Sequence, residues 1–286
     1  MNLVIKDAIW QILWRVASAL GGFIVIKLIT PYLWPLRFGD YSTILKYFAI
    51  WSAFADFGIY VIALKQLWAV KKEEMNEDEN KQLITTYSKF VSTRALMIIC
   101  VYSLALVVAY LIPAYTKNPY LIRWLPLGML FSASFMSAWI LQIPLQLYWK
   151  MEQLSIALIL ARVAQIGVLV LTIYVLFSEV VFGTGEVFTT PFMRIIGSVL
   201  ISGVVQALYV YRVWKKYLPL KRNFDRSFTK KLLLGNWKYG LAYYLSSFHT
   251  LLVLMLLSWF YPTVEWYTYV GIRALALSLM EILLIV

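Results

Sequence analysis

The sequence predicts an all-α fold: a polytopic transmembrane bundle of about eight helices. Three observations predict it. Hydrophobic residues make up 62% of the 286 positions and charged residues 14%, whereas soluble domains are near half apolar and a quarter charged. The mean hydropathy is +0.75, an excess that a soluble core cannot absorb but a bilayer can, since each helix crossing its hydrocarbon needs roughly 20 apolar residues. The apolar stretches, such as residues 95–112, are continuous, whereas the strands of a membrane barrel would alternate apolar and polar positions.

Hydropathy along the chain predicts spans at 8–34, 40–69, 84–112, 120–149, 153–182, 187–211, 233–260 and 264–286. Turn residues separate them. Pro31, Pro35 and Gly39 close the first span; Pro113, Asn118 and Pro119 part the third from the fourth; Gly183 and Gly185 precede the sixth; and Pro262 parts the last two. Pro126, Pro144 and Pro191 fall in or near spans and predict kinks there. The expected organisation is an N-terminal six-helix bundle with a basic connector over 1–231, then the start of a second bundle over 232–286. The sequence stops at Val286 inside an apolar run, so a missing C-terminal bundle or a second chain is expected to complete the assembly.

The formal charge of +12 gives orientation. Lys71, Lys72 and Lys81 mark one break, and Arg212, Lys215, Lys216, Lys221, Arg222, Arg226, Lys230 and Lys231 mark another, while the alternate breaks are poor in cations. The positive-inside bias therefore places both breaks, and the N-terminus with Lys6, in the cytoplasm of a multi-pass protein of the inner, cytoplasmic membrane. This distribution accounts for the basic balance without nucleic acid as a partner, and membrane lipid is the expected one. The connector at 212–231 also offers cations to anionic headgroups. The run from Lys71 to Lys81, which holds Glu73, Glu74, Glu77, Asp78 and Glu79, reads as a solvated loop. A cleaved secretory signal is not expected, because the first apolar run is long and no small-residue cleavage site follows it. One cysteine, Cys100, and one histidine, His249, exclude an intrachain disulfide or a Cys/His zinc site, and no cofactor is expected.

The informative residues are charges where lipid should be: Arg15 and Lys27 in span one, Lys46, Asp56 and Lys65 in span two, then Arg162, Arg194, and Arg273 with Glu281. A charge at a helix centre costs about 2.5–3.5 kcal/mol even on insertion scales, so such groups face a wet cavity or a partner. Lys65 and Arg94 are near helix ends, where snorkelling to the interface explains them. Arg15, Lys46, Arg162 and Arg273 are the candidate cations for an anionic substrate, with Lys27 and Arg194 as weaker candidates. Arg suits bidentate phosphate contact and Lys a compact charge. Asp56 is expected to pair with a cation or to act as a coupling acid. Trp34, Trp124, Trp149, Trp214, Trp259 and Trp266 lie near span ends and read as interface anchors.

One stretch carries a resemblance. Leu33-Trp-Pro-Leu-Arg-Phe-Gly-Asp-Tyr41, then Lys46, then Ala55-Asp-Phe-Gly-Ile59 resembles the opening of the polysaccharide (O-antigen type) flippases in the MATE-like superfamily of multidrug, oligosaccharidyl-lipid and polysaccharide exporters. Those proteins often carry a Leu-Gly-Pro-x-x-x-Gly-x-Tyr turn and an Asp-x-Gly element; here Trp34 stands in place of the glycine. The Tyr148-Trp-Lys-Met-Glu-Gln153 break is similar too. The resemblance implies two similarly oriented bundles, and helices seven and eight echo the first two: Pro35 precedes Lys46, and Pro262 precedes Arg273, by eleven positions each. It further implies a non-enzymatic transporter that moves a polyprenyl-diphosphate-linked glycan by alternating access. Three rivals differ in what they require. A small-molecule antiporter for cationic substrates calls for acidic residues in the cavity, a membrane glycan-assembly enzyme calls for catalytic carboxylates or a large loop, and a scaffold calls for cations paired internally.

Overall fold

The computed structural model describes residues 3–71, 75–175, 189–219, 223–238, 240–242, 245 and 272. Every described element is helical: α1 Leu3–Asp56, α2 Ile59–Val70, α3 Glu77–Leu111, α4 Pro113–Thr116, α5 Pro119–Leu141, α6 Ile143–Leu147, α7 Met151–Val170 with a π-helical turn at Leu171–Val175, α8 Thr189–Trp214 and α9 Arg226–Gly235. Six stretches are long and apolar enough to cross a membrane: Ile5–Leu33, Arg37–Val70, Glu77–Leu111, Leu121–Leu147, Met151–Tyr174 and Arg194–Trp214. They coincide with the first six expected spans, and the chain is a multi-pass membrane protein. Spans seven and eight, with His249, Arg273 and Glu281, lie outside the described residues apart from a few positions.

Pro31, Pro35 and Gly39 do not interrupt the helix as expected, for helical backbone continues through Asp56. The direction of the chain nevertheless reverses inside α1. A straight helix would hold Arg15 and Lys46 about 46 Å apart, yet both line one cavity with Arg162. Proline within a helix removes a backbone hydrogen bond and forces a bend, so these residues fold α1 back without a loop. The segment from Lys71 onward differs as well. Asn76 caps α3 by accepting from the backbone N–H of Glu79 at 2.9 Å, and the Glu79 carboxylate accepts from the Asn76 N–H at 3.2 Å. This capping box starts the helix at Glu77, and Glu77, Asp78 and Glu79 form its first turn, where a helix N-terminus favours anions. The helix that carries span three thus begins seven residues before the position that hydropathy marks for the span.

The bundle holds two apolar cores stacked along its length. One gathers Ile29, Leu33, Tyr47, Phe48, Tyr102, Tyr115 and Leu125 near the turn between α3 and α5. The other gathers Ala63, Leu67, Tyr87, Phe90, Leu147 and Trp214 at the opposite end, beside the breaks at 71–76, 148–150 and 215–225. Lys6 bridges to Glu152 at 2.8 Å, so the N-terminus shares this second end. Trp214 corrects an expectation: it is fully buried against Tyr87 and Tyr211, a core residue and not an interface anchor. At the same end Trp149 adopts φ 54° and meets Trp68 edge-on at 5.7 Å. The Lys71 ammonium donates to the Leu147 carbonyl and sits 4.3 Å from the Tyr148 ring centroid.

Candidate functional site

Between the two cores, α1, α2, α5, α6, α7 and α8 line an open cavity of about 710 Å³, within the usual range for ligand pockets. Three of the candidate cations reach it: Arg15, Lys46 and Arg162. Five glutamines, Gln11, Gln142, Gln146, Gln165 and Gln206, line it with Trp14, Tyr41, Tyr60, Phe135 and Trp139. Among the described residues no carboxylate lines this cavity.

Arg162 is the most closely held of the three. Its guanidinium donates to Gln165 Oε1 at 2.8 Å and to Ser18 Oγ at 3.4 Å. Both acceptors are neutral, so these bonds orient the group without cancelling its charge. The glycine at 21 makes room for the stem, since a Cβ there would collide with Arg162 Cγ and lie 2.9 Å from Cδ. The approach of α1 to α7 thus depends on a residue without a side chain. Gln206, only 2% exposed, has an Nε2 with no hydrogen-bond partner among the described residues. Such a donor at a cavity wall costs free energy until a ligand or water accepts from it. Arg15 remains exposed and Lys46 half-buried.

The remaining candidates lie elsewhere. Lys27 is exposed on α1 and does not line the cavity. Nor does Arg194, which is half-buried near the Tyr32 hydroxyl. Arg273 lies outside the described residues. Asp56 forms an ion pair with Arg94, and this corrects the reading of Arg94 as a snorkelling end residue. Arg94 has 0% exposure and Asp56 2%, so the guanidinium turns inward to the carboxylate and not outward to the interface. The backbone explains why the pair forms there. Phe57 and Gly58 take positive φ values of 44° and 72°, which ends α1 and begins α2 within one span. Asp56 is the last residue of α1 and so stands beside the N-terminus of α2, the positive end of the new half-helix. An anion is favoured at that end, and here the aspartate of the Asp-x-Gly element supplies it while pairing with Arg94.

Sequence reasoning missed the glutamines, which no hydropathy scan marks as costly, and assigned tryptophan to interfaces by default although Trp14 and Trp139 line the cavity. A helical-face projection of span four, where Trp139, Gln142 and Gln146 recur at offsets of three and four, would have grouped part of the wall.

Comparisons of the chain with curated proteins and with solved structures give no match. A family model described as polysaccharide biosynthesis protein matches residues 4–286. A match of that extent, on a bundle of six membrane-crossing helices around a polar cavity, establishes that the chain belongs to the polysaccharide biosynthesis protein family.

Proposed function

We propose that this protein moves a polyprenyl-diphosphate-linked glycan across the cytoplasmic membrane, with the cavity as the part of the path formed by residues 1–231. The observation that carries this reading is the composition of the cavity wall. Three cations converge on it without a lining carboxylate among the described residues, which favours a diphosphate, and amides with aromatic faces are the groups that bind sugar hydroxyls and stack on sugar rings. Arg15, Lys46 and Arg162 are assigned to the diphosphate or the first sugars, and Arg273 is assigned the corresponding role in the second bundle. Family membership supports transport over catalysis. A cation antiporter is disfavoured by the sign of the lining charges. Alternating access follows from general transporter physics: two bundles rock about a fixed midplane site. Lys6 and the basic connector face the cytoplasm by the positive-inside bias.

The test is translocation of a fluorescent lipid-linked oligosaccharide in proteoliposomes, comparing the unmodified chain with Arg15→Ala, Lys46→Ala and Arg162→Ala. Each substitution should cut the initial rate at least tenfold, with protein still monodisperse in detergent. Unchanged rates in all three would remove the cationic cavity from the mechanism.

A further inference from the structure

We infer that α9 and its flanks form a docking surface for anionic phospholipid headgroups, whatever substrate the cavity carries. The connector and the first residues of span seven, from Arg212 to Lys238, hold nine cations and one acid, Asp225. That acid is directed inward: its Oδ2 accepts from the Lys89 ammonium at 2.8 Å, and its Oδ1 caps α9 by accepting from the Phe228 N–H at 3.0 Å. The same face of α9 is held to α3 by the Thr93–Thr229 hydroxyl pair at 2.9 Å and by Phe228 edge-on to Phe90 at 5.1 Å. Arg226, Lys230 and Lys231 are left on the exposed face.

Two further observations place this face at a membrane surface. The first is depth. Counting back from Leu111, the roughly 20 residues that span hydrocarbon end near residue 91, where α9 meets Lys89, Phe90 and Thr93. The connector then stays close to that level. Gly240 packs on the Phe57 ring, next to the Asp56 that pairs with Arg94. About 22 Å of chain from Asp225 to Gly240 therefore covers a depth that α3 crosses in about 8 Å. The second is composition. At about 100° per residue, Leu234 falls between Lys230 and Lys231 at the middle of the outward face, and it is 63% exposed. Trp237 and Phe224 are exposed beside it. Apolar groups flanked by lysines suit the boundary between acyl chains and phosphates.

The test is native mass spectrometry of the full chain in detergent, titrated with phosphatidylglycerol or with phosphatidylcholine. The unmodified protein should retain phosphatidylglycerol preferentially, and rising salt should weaken that retention. The triple variant Arg226→Gln/Lys230→Gln/Lys231→Gln should lose affinity for it by about fivefold per cation, on the order of a hundredfold in all. Lys65→Gln/Lys81→Gln/Lys117→Gln, with the same loss of net charge elsewhere, should change it less than twofold. Lys230→Arg/Lys231→Arg should bind as the unmodified chain does, which separates charge from damage to the fold. Equal loss in both triple variants, or none in the first, overturns the inference. So does displacement of the lipid by free glycerol phosphate, which would mark a soluble-phosphate site.

Discussion

Arg94 and Arg162 are both arginines within membrane-crossing helices, yet the structure gives them opposite surroundings. Arg94 is sealed from solvent against the carboxylate of Asp56. Arg162 is held by an amide and a hydroxyl at the wall of a cavity. The first charge is consumed in holding the bundle together across a broken helix; the second is oriented while its charge stays available. On the function proposed above, a structural cation and a binding cation differ in the charge of the partner, not in residue type. Both residues carry a desolvation cost, and the bundle meets it in two ways.

The sharpest way to break this contrast is Arg94→Ala, which leaves Asp56 buried without its cation. Removing one partner of a buried pair costs about 3–5 kcal/mol, so the variant should lose its monodisperse peak in size exclusion and unfold at a much lower temperature. Arg94→Gln combined with Asp56→Asn should recover most of that loss, because no uncompensated charge remains. Arg162→Ala should behave in the reverse manner. Its unfolding temperature should stay near that of the unmodified protein, while affinity for a diphosphate lipid falls by about 1.5–3 kcal/mol, the worth of a hydrogen bond to a charged group; equilibrium binding of the lipid measures it. If Arg162→Ala instead destabilises the chain as much as Arg94→Ala does, the distinction between the two arginines fails.

The helix break that supports the Asp56–Arg94 pair offers a smaller test. Gly58 adopts φ 72°, a region that costs a residue with a Cβ about 1–2 kcal/mol. Gly58→Ala should lower the unfolding temperature by a few degrees and leave the affinity for diphosphate lipid unchanged. The smallest effect concerns Asp225, where the hydrogen bond from Lys89 holds the carboxyl below its usual 3.8. A depressed folded-state value means that the contact contributes fully above the ordinary aspartate range and fades as the pH falls through the folded value. Thermal unfolding followed down through pH 4 should show that loss in the unmodified chain, and Asp225→Asn should flatten it.

Much of the fold was legible because apolar length adds up locally: about twenty consecutive apolar residues announce a crossing wherever they occur. Six of the expected spans are those of the structure. Where a helix begins was less legible. The Asn76-x-x-Glu79 cap was present in the sequence, but it lay inside a charged run that reads as solvated loop. That misplaced the start of α3, whereas Arg94 read as a snorkelling end residue because its partner, Asp56, lies on another helix. The reversal inside α1 was signalled by Pro31, Pro35 and Gly39, although as a bend and not a break. The cavity was half legible. Arg15, Lys46 and Arg162 stand out because a charge in lipid is costly, whereas a glutamine draws no attention until four or more helices bring it beside others. Lys27 and Arg194 are costly in the same way but leave the cavity to their neighbours. Sequence shows that a charge must be satisfied, and only tertiary structure shows by what.

The length of α3 has a practical consequence. At 35 residues the helix is about 52 Å long, while the hydrocarbon it crosses is about 30 Å thick. Roughly 20 Å of rigid rod, closed by the Asn76 cap and braced where Lys89 meets Asp225, therefore stands clear of the lipid. A helical bundle embedded in a detergent belt offers few features by which its images can be aligned. A helical fusion continued through the Asn76 end of α3, or an antibody fragment raised against residues 75–88, would give single-particle microscopy a fixed marker coupled directly to the helix that carries Arg94.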